Sequence, residues 1–328
     1  MADSDAGRGR WKKRRLHCND ADTDLCLITK VSPLPTGLPL RENLKNFIQG
    51  EKQMVISKEI SASSDGAQWQ SIDWKSVEAH VLKLQMRIAK ATREKKYSKV
   101  KSLQWLLTHS RSAKLLAVKR VSQNKGSKTS GIDGVTWNTD VRRMKAVNQL
   151  SRKAYSAKPL KRIYIPKKNG KLRPLGIPCM IDRAQQALHL LALEPVSETL
   201  ADLNSYGFRT NRSTADAVSQ CFKCLALKRS AKWVLEGDIK ACFDKIGHQW
   251  LIDNITVDKR MLEQWLKSGY VDKGLFYDTD EGTPQGGIIS PTLMLMTLAG
   301  IEQQIKSTAL KKGARANFIG YADDFVVT

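Results

Sequence analysis

The sequence predicts an α+β fold, and three observations carry that expectation. Apolar residues recur at three- and four-residue steps from Val77 onward, which gives amphipathic helices early in the chain. Short alternating segments bounded by Gly, Pro, Asn or Asp follow, as strands and hairpins require. Strands and helices interleave without the regular βαβ rhythm that builds a parallel sheet.

Taken in order, residues 1–68 lack periodicity. Pro33, Pro35, Pro39 and the polar run from Ser61 to Gln68 mark a poorly ordered extension with at most a short helix around Leu40 to Gln49. Order begins near Trp69, where Asp73 is placed to cap a helix carrying Val77, Val81, Leu84, Ile88 and Ala91. A second helical pattern runs through Val100, Leu103 and Leu107 to Val118. Ser122 to Gly134 is a basic, glycine-rich loop whose amides are suited to face phosphates.

Arg162 to Gly176 alternates on each side of Asn169-Gly170, a strong hairpin signal, with Lys and Arg projecting from the ribbon. Asp182 is expected to cap a helix with Ala187, Leu190, Leu191 and Leu193, which Pro195 ends or kinks. Trp233 to Asp238 reads as a strand delivering Asp238 at its end, followed by helical material from about His248 to Leu266. Glu281 to Pro291 is a loop that opens a long apolar helix through Leu293, Leu295, Leu298 and Ile301. Finally, Phe318 to Ala322 and Phe325 to Val327 flank Asp323-Asp324, a hairpin with two carboxylates in or beside its turn.

The net charge is +23, from 55 Lys and Arg against 32 Asp and Glu. Lys90 to Lys128 holds twelve basic residues and one acidic, and Val141 to Ile181 holds twelve basic and none acidic. Those two blocks equal the whole net charge, so a polyanionic partner, nucleic acid above all, is expected there. A single lysine cluster would read as a solvated helix face. Six scattered cysteines form no disulfide framework and point to a reducing compartment; Cys221 and Cys224 read as core thiols. No apolar run is long enough to span a bilayer, so no membrane partner is expected.

Phosphoryl transfer onto a growing chain uses two divalent cations held by converging carboxylates. Asp238 at a strand end and Asp323-Asp324 at a turn are far apart in sequence, yet one sheet can set them side by side. Taken alone, Asp-Asp in a turn is ordinary turn chemistry.

Their company changes that reading. Tyr321-Ala-Asp-Asp324 resembles the reverse transcriptase signature, Asp238 to Asp244 its first catalytic block, and Thr283 to Pro291 its template and nucleotide loop. Ile165 to Pro178 and Asn204 to Arg209 resemble the group II intron-encoded branch, which adds maturase activity in RNA splicing. The blocks occur in family order over residues 69–328.

The resemblance implies the fingers and palm of a right-hand polymerase. Its antiparallel palm sheet is flanked by helices, with a helical N-terminal extension. Fingers would span 69–230 and an incomplete palm 231–328. It implies RNA-directed DNA polymerase activity with two Mg²⁺ ions, Mn²⁺ being an alternative. Asp238 and Asp323 would ligate the ions, with Asp324 and the Ile239 carbonyl assisting. Lys167 and Arg173 would clamp the triphosphate of the incoming dNTP, Gln285 would pack beside its sugar and base, and Phe243 would sit beneath the sugar. Arg93, Lys95, Lys96, Lys99, Lys101, Lys125 and Lys128 would bind RNA. The implied partners are group II intron RNA and an RNA template with its DNA primer, in a bacterial cytoplasm or an organelle matrix.

The chain departs from the family by stopping at Thr328, before the helical thumb. The last strand is therefore expected to leave a sheet edge bare. A C-terminal portion of the same protein is a further expected partner if the enzyme is split. An RNA-binding splicing cofactor and an inactive truncated remnant stand as the rival readings.

Overall fold

In a computed structural model the described residues are 27–30, 65–166 and 170–328. The elements are β1 (Leu27–Lys30), α1 (Asp65–Gln70), α2 (Trp74–Arg93), α3 (Tyr97–His109), α4 (Arg111–Gln123) and α5 (Asp140–Gln149). Then come β2 (Leu160–Pro166), β3 (Leu172–Ile177), α6 (Met180–Leu200), α7 (Thr214–Leu225), β4 (Leu235–Ile239), α8 (His248–Asn254) and α9 (Lys259–Leu266). The chain finishes with β5 (Tyr270–Asp272), β6 (Leu275–Tyr277), α10 (Ser290–Thr297), α11 (Ile301–Lys311), β7 (Phe318–Tyr321) and β8 (Asp324–Val327). This is the α+β architecture the sequence predicts.

Asp73 caps α2 by accepting hydrogen bonds from the Lys75 and Ser76 amides. The periodic residues of α2 and α3 then face inward, with Ile88, Val100 and Leu107 fully buried. They pack with Val118 and Met144 against Ala184, Leu188 and Val196 of α6. Burying a Leu- or Ile-sized side chain stabilises by about 1.5–3 kcal/mol, so this helical layer carries its own core. A second core, from Tyr155, Leu193, Ile239, Leu251, Met261, Trp265 and Leu293, lies beneath the sheet bearing Asp238. Helix α6 contributes to both cores, and Ile288 and Met296 pack against both.

One four-stranded sheet has the order β1-β4-β8-β7 with every neighbour antiparallel. The other has the order β3-β2-β5-β6, with β2 and β5 parallel. The hairpin expected around Asn169-Gly170 forms as β2 and β3, paired from Lys161 with Ile177 to Pro166 with Leu172.

Several details differ from the sequence reading. Strand β8 lies inside its sheet between β4 and β7, so the edges belong to β1 and β7, and the last strand leaves no bare edge of its own. Residues Leu27–Lys30 of the expected disordered extension form edge strand β1 on β4; four residues are too few for a readable alternation. The short helix expected near Leu40 to Gln49 lies outside the described residues. Asp182 does not cap α6, which starts two residues earlier at Met180. It is buried and accepts from the Tyr155 hydroxyl at 2.7 Å. Pro195 stays within α6, which runs on to Leu200.

The long apolar helix breaks into α10 and α11 at Gly300, whose φ of 98° is left-handed. Asp202 accepts from the Gly300 and Glu302 amides there, so a distant carboxylate starts α11.

Candidate active site

Strand β4 leaves the second core at Ile239, and the pleat turns Asp238 outward to solvent. On β8, Asp324 pairs directly with Asp238 across the ladder. The Ile239 amide donates to the Asp323 carbonyl at 3.0 Å, which fixes Asp323 beside the end of β4. The turn joining β7 to β8 is Ala322-Asp323, and Ala322 takes a left-handed φ of 59°. Asp238 and the Asp323-Asp324 pair, 85 positions further on, are thus brought to one corner of a sheet.

No described Lys, Arg or hydrogen-bond donor is paired with Asp238, Asp323 or Asp324. Burial raises the Asp324 carboxyl above its ordinary range, and the charges of Asp323 and Asp238 add to that rise. Nearby, burial pushes the Cys242 thiol up to about 12, with Asp323, Asp238 and Asp244 all contributing. One thiol senses three carboxylates, so uncompensated negative charge is concentrated here. Among the described residues no group of three or more His, Cys, Asp or Glu side chains is drawn together as a finished metal cage. Like charges repel until a cation draws them in. All-oxygen, uncompensated donors are the chemistry that hard divalent cations select, so these residues fit Mg²⁺.

A loop wall stands beside the carboxylates. The Thr283 amide donates to the Phe243 carbonyl at 2.7 Å and the Gly282 amide to the Ile246 carbonyl at 2.8 Å. Gly282 has a φ of 82°, and a Cβ there would press the Asp244 backbone at 2.8 Å. The Gly176 amide donates to the Gln285 carbonyl at 2.8 Å, joining the loop to β3. Arg173 Nε donates to Gln285 Oε1 at 3.1 Å, and Gln285 Nε2 donates to Asp244 Oδ1 at 3.0 Å. Arg173 and Gln285, 112 positions apart, therefore touch. Gln285 and Asp244 line a cleft of about 140 Å³ that also takes in Arg162.

Phe243 is half-buried, and its ring meets Phe208 edge-on, with centroids 5.9 Å apart. The sequence marks Phe208 only as a member of the Asn204 to Arg209 block, and its left-handed φ of 58° is invisible there. Asp244, which shares Gln285, is legible in the sequence only as the end of a motif. Lys167 lies outside the described residues.

The Asn204 to Arg209 loop props strand β7, which leads into the Ala322-Asp323 turn. Tyr206 donates its amide to the Gly320 carbonyl and Gly320 to the Asn204 carbonyl, both at 2.8 Å. Buried Glu302 accepts from the Asn204 amide at 3.0 Å and from its Nδ2 at 2.6 Å. Arg209 grips Glu198 through two nitrogens and donates to the Asp202 and Ser205 carbonyls. Sequence reasoning misses this support because its main bonds join segments remote in the chain.

The predicted RNA-binding cations lie on elements other than the sheet that carries Asp238. Arg93 ends α2, Lys95 and Lys96 lie in the turn to α3, and Lys99 and Lys101 stand on α3; all are exposed. Lys96 pairs with Glu94 at 2.8 Å. Lys125 and Lys128 sit on a 3-10 turn whose Gly126 and Thr129 carbonyls accept from buried Arg183. Cys221 and Cys224 are half-buried free thiols on α7 beside the Tyr206, Ala217 and Ile319 cluster. Among the described residues, no helix is long and apolar enough to cross a membrane.

The fold thus joins a sheet with three carboxylates at one corner to a helical layer bearing exposed cations. Residues 165–328 match the family model described as reverse transcriptase (RNA-dependent DNA polymerase), and residues 69–150 match the N-terminal domain of reverse transcriptase. The chain belongs to the reverse transcriptase family. It is 38% identical over 207 residues to Protein YkfC of Escherichia coli (strain K12), covering 58% of this chain and 54% of that one. It is 34% identical over 208 residues to the group II intron-encoded protein LtrA of Lactococcus lactis subsp. cremoris, covering 60% and 34%. The chain thus spans about half and about a third of these two relatives. Among solved structures, a chain of the partial Cas6-RT-Cas1–Cas2 complex aligns with a TM-score of 0.41 and 21% identity, covering 69% of this chain and 38% of that one.

Proposed function

We propose that the chain is the fingers (69–230) and palm (231–328) of a group II intron-type RNA-directed DNA polymerase, extending a DNA primer on an RNA template with dNTPs. The observation that carries this reading is the Asp238 to Asp324 register with Asp323 hydrogen-bonded through its carbonyl to Ile239. Asp238, Asp323 and the Ile239 carbonyl would hold two Mg²⁺, with Asp324 adjoining. Bound there, the ions would activate the attacking hydroxyl and neutralise the leaving pyrophosphate, and Mn²⁺ would substitute.

The chain's own residues bind and orient. Arg173, held by Gln285, presents its guanidinium to the triphosphate, joined by Lys167. Phe243 lies beneath the sugar with Phe208 bracing its ring edge-on, and Gln285 sits beside sugar and base. The exposed cations Arg93, Lys95, Lys96, Lys99, Lys101, Lys125 and Lys128 attract RNA phosphates, group II intron RNA included. The compartment we infer is a bacterial cytoplasm or an organelle matrix.

The test is primer extension on an RNA template with Asp238→Ala and Asp323→Ala. Each variant is expected to abolish synthesis while RNA affinity stays close to wild type, because metal ligation acts on the transition state. Retained synthesis in either variant overturns the assignment.

A further inference from the structure

A cavity of about 520 Å³ contains none of the residues at the carboxylate corner. It lies between α3, α6 and the segments around Ser151 and Asp258. Its size is that of a small-ligand site, for which about 300–1,000 Å³ is usual.

One rim is a row on α3. Lys101, Trp105 and His109 are spaced by four, so they stand one above another on a single helix face. The Trp105 and His109 rings stack with centroids 4.2 Å apart and an interplanar angle of 23°. His109 Nδ1–H donates to the Trp105 carbonyl at 2.8 Å, which locks the imidazole against the helix. This rigid platform is open, for Trp105 is 59% exposed. A tryptophan left in water while already stacked on one side has a free face for a second flat group.

The surrounding charge selects what that group carries. Lys101, Lys114 and Lys153 reach the cavity, and none is paired with a described carboxylate. The one acid on the wall, Asp258, is occupied by Arg152 at 2.5 Å. On the floor, buried His189 donates Nδ1–H to the Gln185 carbonyl at 2.9 Å, leaving Nε2 without a described partner. Burial holds that imidazole neutral, so Nε2 is a hydrogen-bond acceptor. A flat π face, an anion and a donor group are thus wanted together, and a nucleotide supplies all three. Stacking platforms fringed by cations are a recurrent solution to single-stranded nucleic-acid binding.

We propose that this cavity takes one unpaired nucleotide of a bound RNA. Its base lies on the Trp105–His109 platform, its phosphate among Lys101, Lys114 and Lys153, and an amino or hydroxyl group donates to His189 Nε2. A free nucleotide shares this chemistry, so the test separates the two sources. The site stands apart from the polymerase reading and survives if that reading fails.

The experiment uses the whole chain carrying Asp238→Asn, so that no synthesis contributes. Three probes are titrated at fixed salt: an RNA hairpin with one bulged adenosine, its fully paired counterpart, and AMP. The bulged hairpin is expected to bind more tightly than the paired one. Trp105→Ala is expected to weaken the bulged hairpin by about five- to about 150-fold, the span of one lost base stack, and to leave the paired one unchanged. Trp105→Phe should restore part of the difference. AMP binding lost in Trp105→Ala, without any preference for the bulge, would assign the site to a free nucleotide and overturn the RNA source. Equal binding of both hairpins, with AMP indifferent to Trp105→Ala, overturns the site itself. Because Trp105 is exposed, circular dichroism should show the variant folded, so loss of binding reports on the cavity.

Discussion

Gly207 lies flat against the backbone of Ala322, and a Cβ at Gly207 would overlap the Ala322 nitrogen and approach its Cα to 2.8 Å. Ala322 is the left-handed residue of the turn that presents Asp323. A residue 115 positions earlier in the chain therefore sets the height of the carboxylate turn. Gly207→Ala should push the turn away from Asp238. Primer extension is expected to lose about tenfold or more in kcat, with RNA affinity unchanged and the melting temperature lowered by a few degrees. Wild-type kcat in a folded Gly207→Ala chain would show that the turn does not depend on this contact.

Asp182 sets a pH dependence of stability. Burial raises its carboxyl from 3.8 to about 6, although Tyr155 and the Lys158 amide hydrogen-bond to it and lower it in part. A folded carboxyl with a raised pKa binds its proton more tightly than the unfolded chain does. Stability is therefore greatest below about 4 from this group and falls as pH rises through about 6, by about 3 kcal/mol at 1.36 kcal/mol per unit. Asp182→Asn should remove that slope, read as the urea midpoint between pH 4.5 and pH 7.5. An identical pH profile in both proteins would count against it.

Salt dependence reports on the α2–α3 surface. Each RNA phosphate neutralised should add about 0.7 to 0.9 to the log–log salt slope. Replacing Arg93, Lys95, Lys96, Lys99 and Lys101 with Gln should flatten the slope in proportion to the phosphates these cations neutralise. Lys96 is expected to contribute least, since Glu94 already holds it. An unchanged slope would remove this surface from the RNA path.

Sugar choice should rest on Phe243. A ring beneath the sugar leaves no room for a 2′-hydroxyl and offers it no acceptor, so a ribonucleotide suffers both a clash and lost hydration. Phe243→Ala should raise ribonucleotide incorporation relative to deoxyribonucleotide, measured as the ratio of kcat/KM for one base in both sugar forms. The edge-on Phe208 contact adds a second expectation, that Phe208→Ala moves the same ratio in the same direction by a smaller factor. Equal losses for both sugars would reduce Phe243 to a packing residue.

Local signals made much of this protein legible before folding. Asp73 at the start of α2, the inward row Val81, Leu84 and Ile88, the β2–β3 hairpin and the Asp323-Asp324 hairpin depend on residues within a few positions of one another, so spacing reveals them. Charge counting likewise located the basic blocks. The carboxylate corner was legible only through the resemblance of its blocks to a family, because nothing local ties Asp238 to Asp323.

The tertiary structure alone decided the rest. It put β8 between two partners, broke the apolar helix at Gly300 through Asp202, buried Asp182 against Tyr155, and placed Gly207 against the Ala322-Asp323 turn. It also closed a cavity between α3 and α6 under the Trp105–His109 stack. Short-range periodicity records which face of an element is apolar. It holds no record of which distant backbone approaches that face, and every one of these features is a contact between segments far apart in the chain.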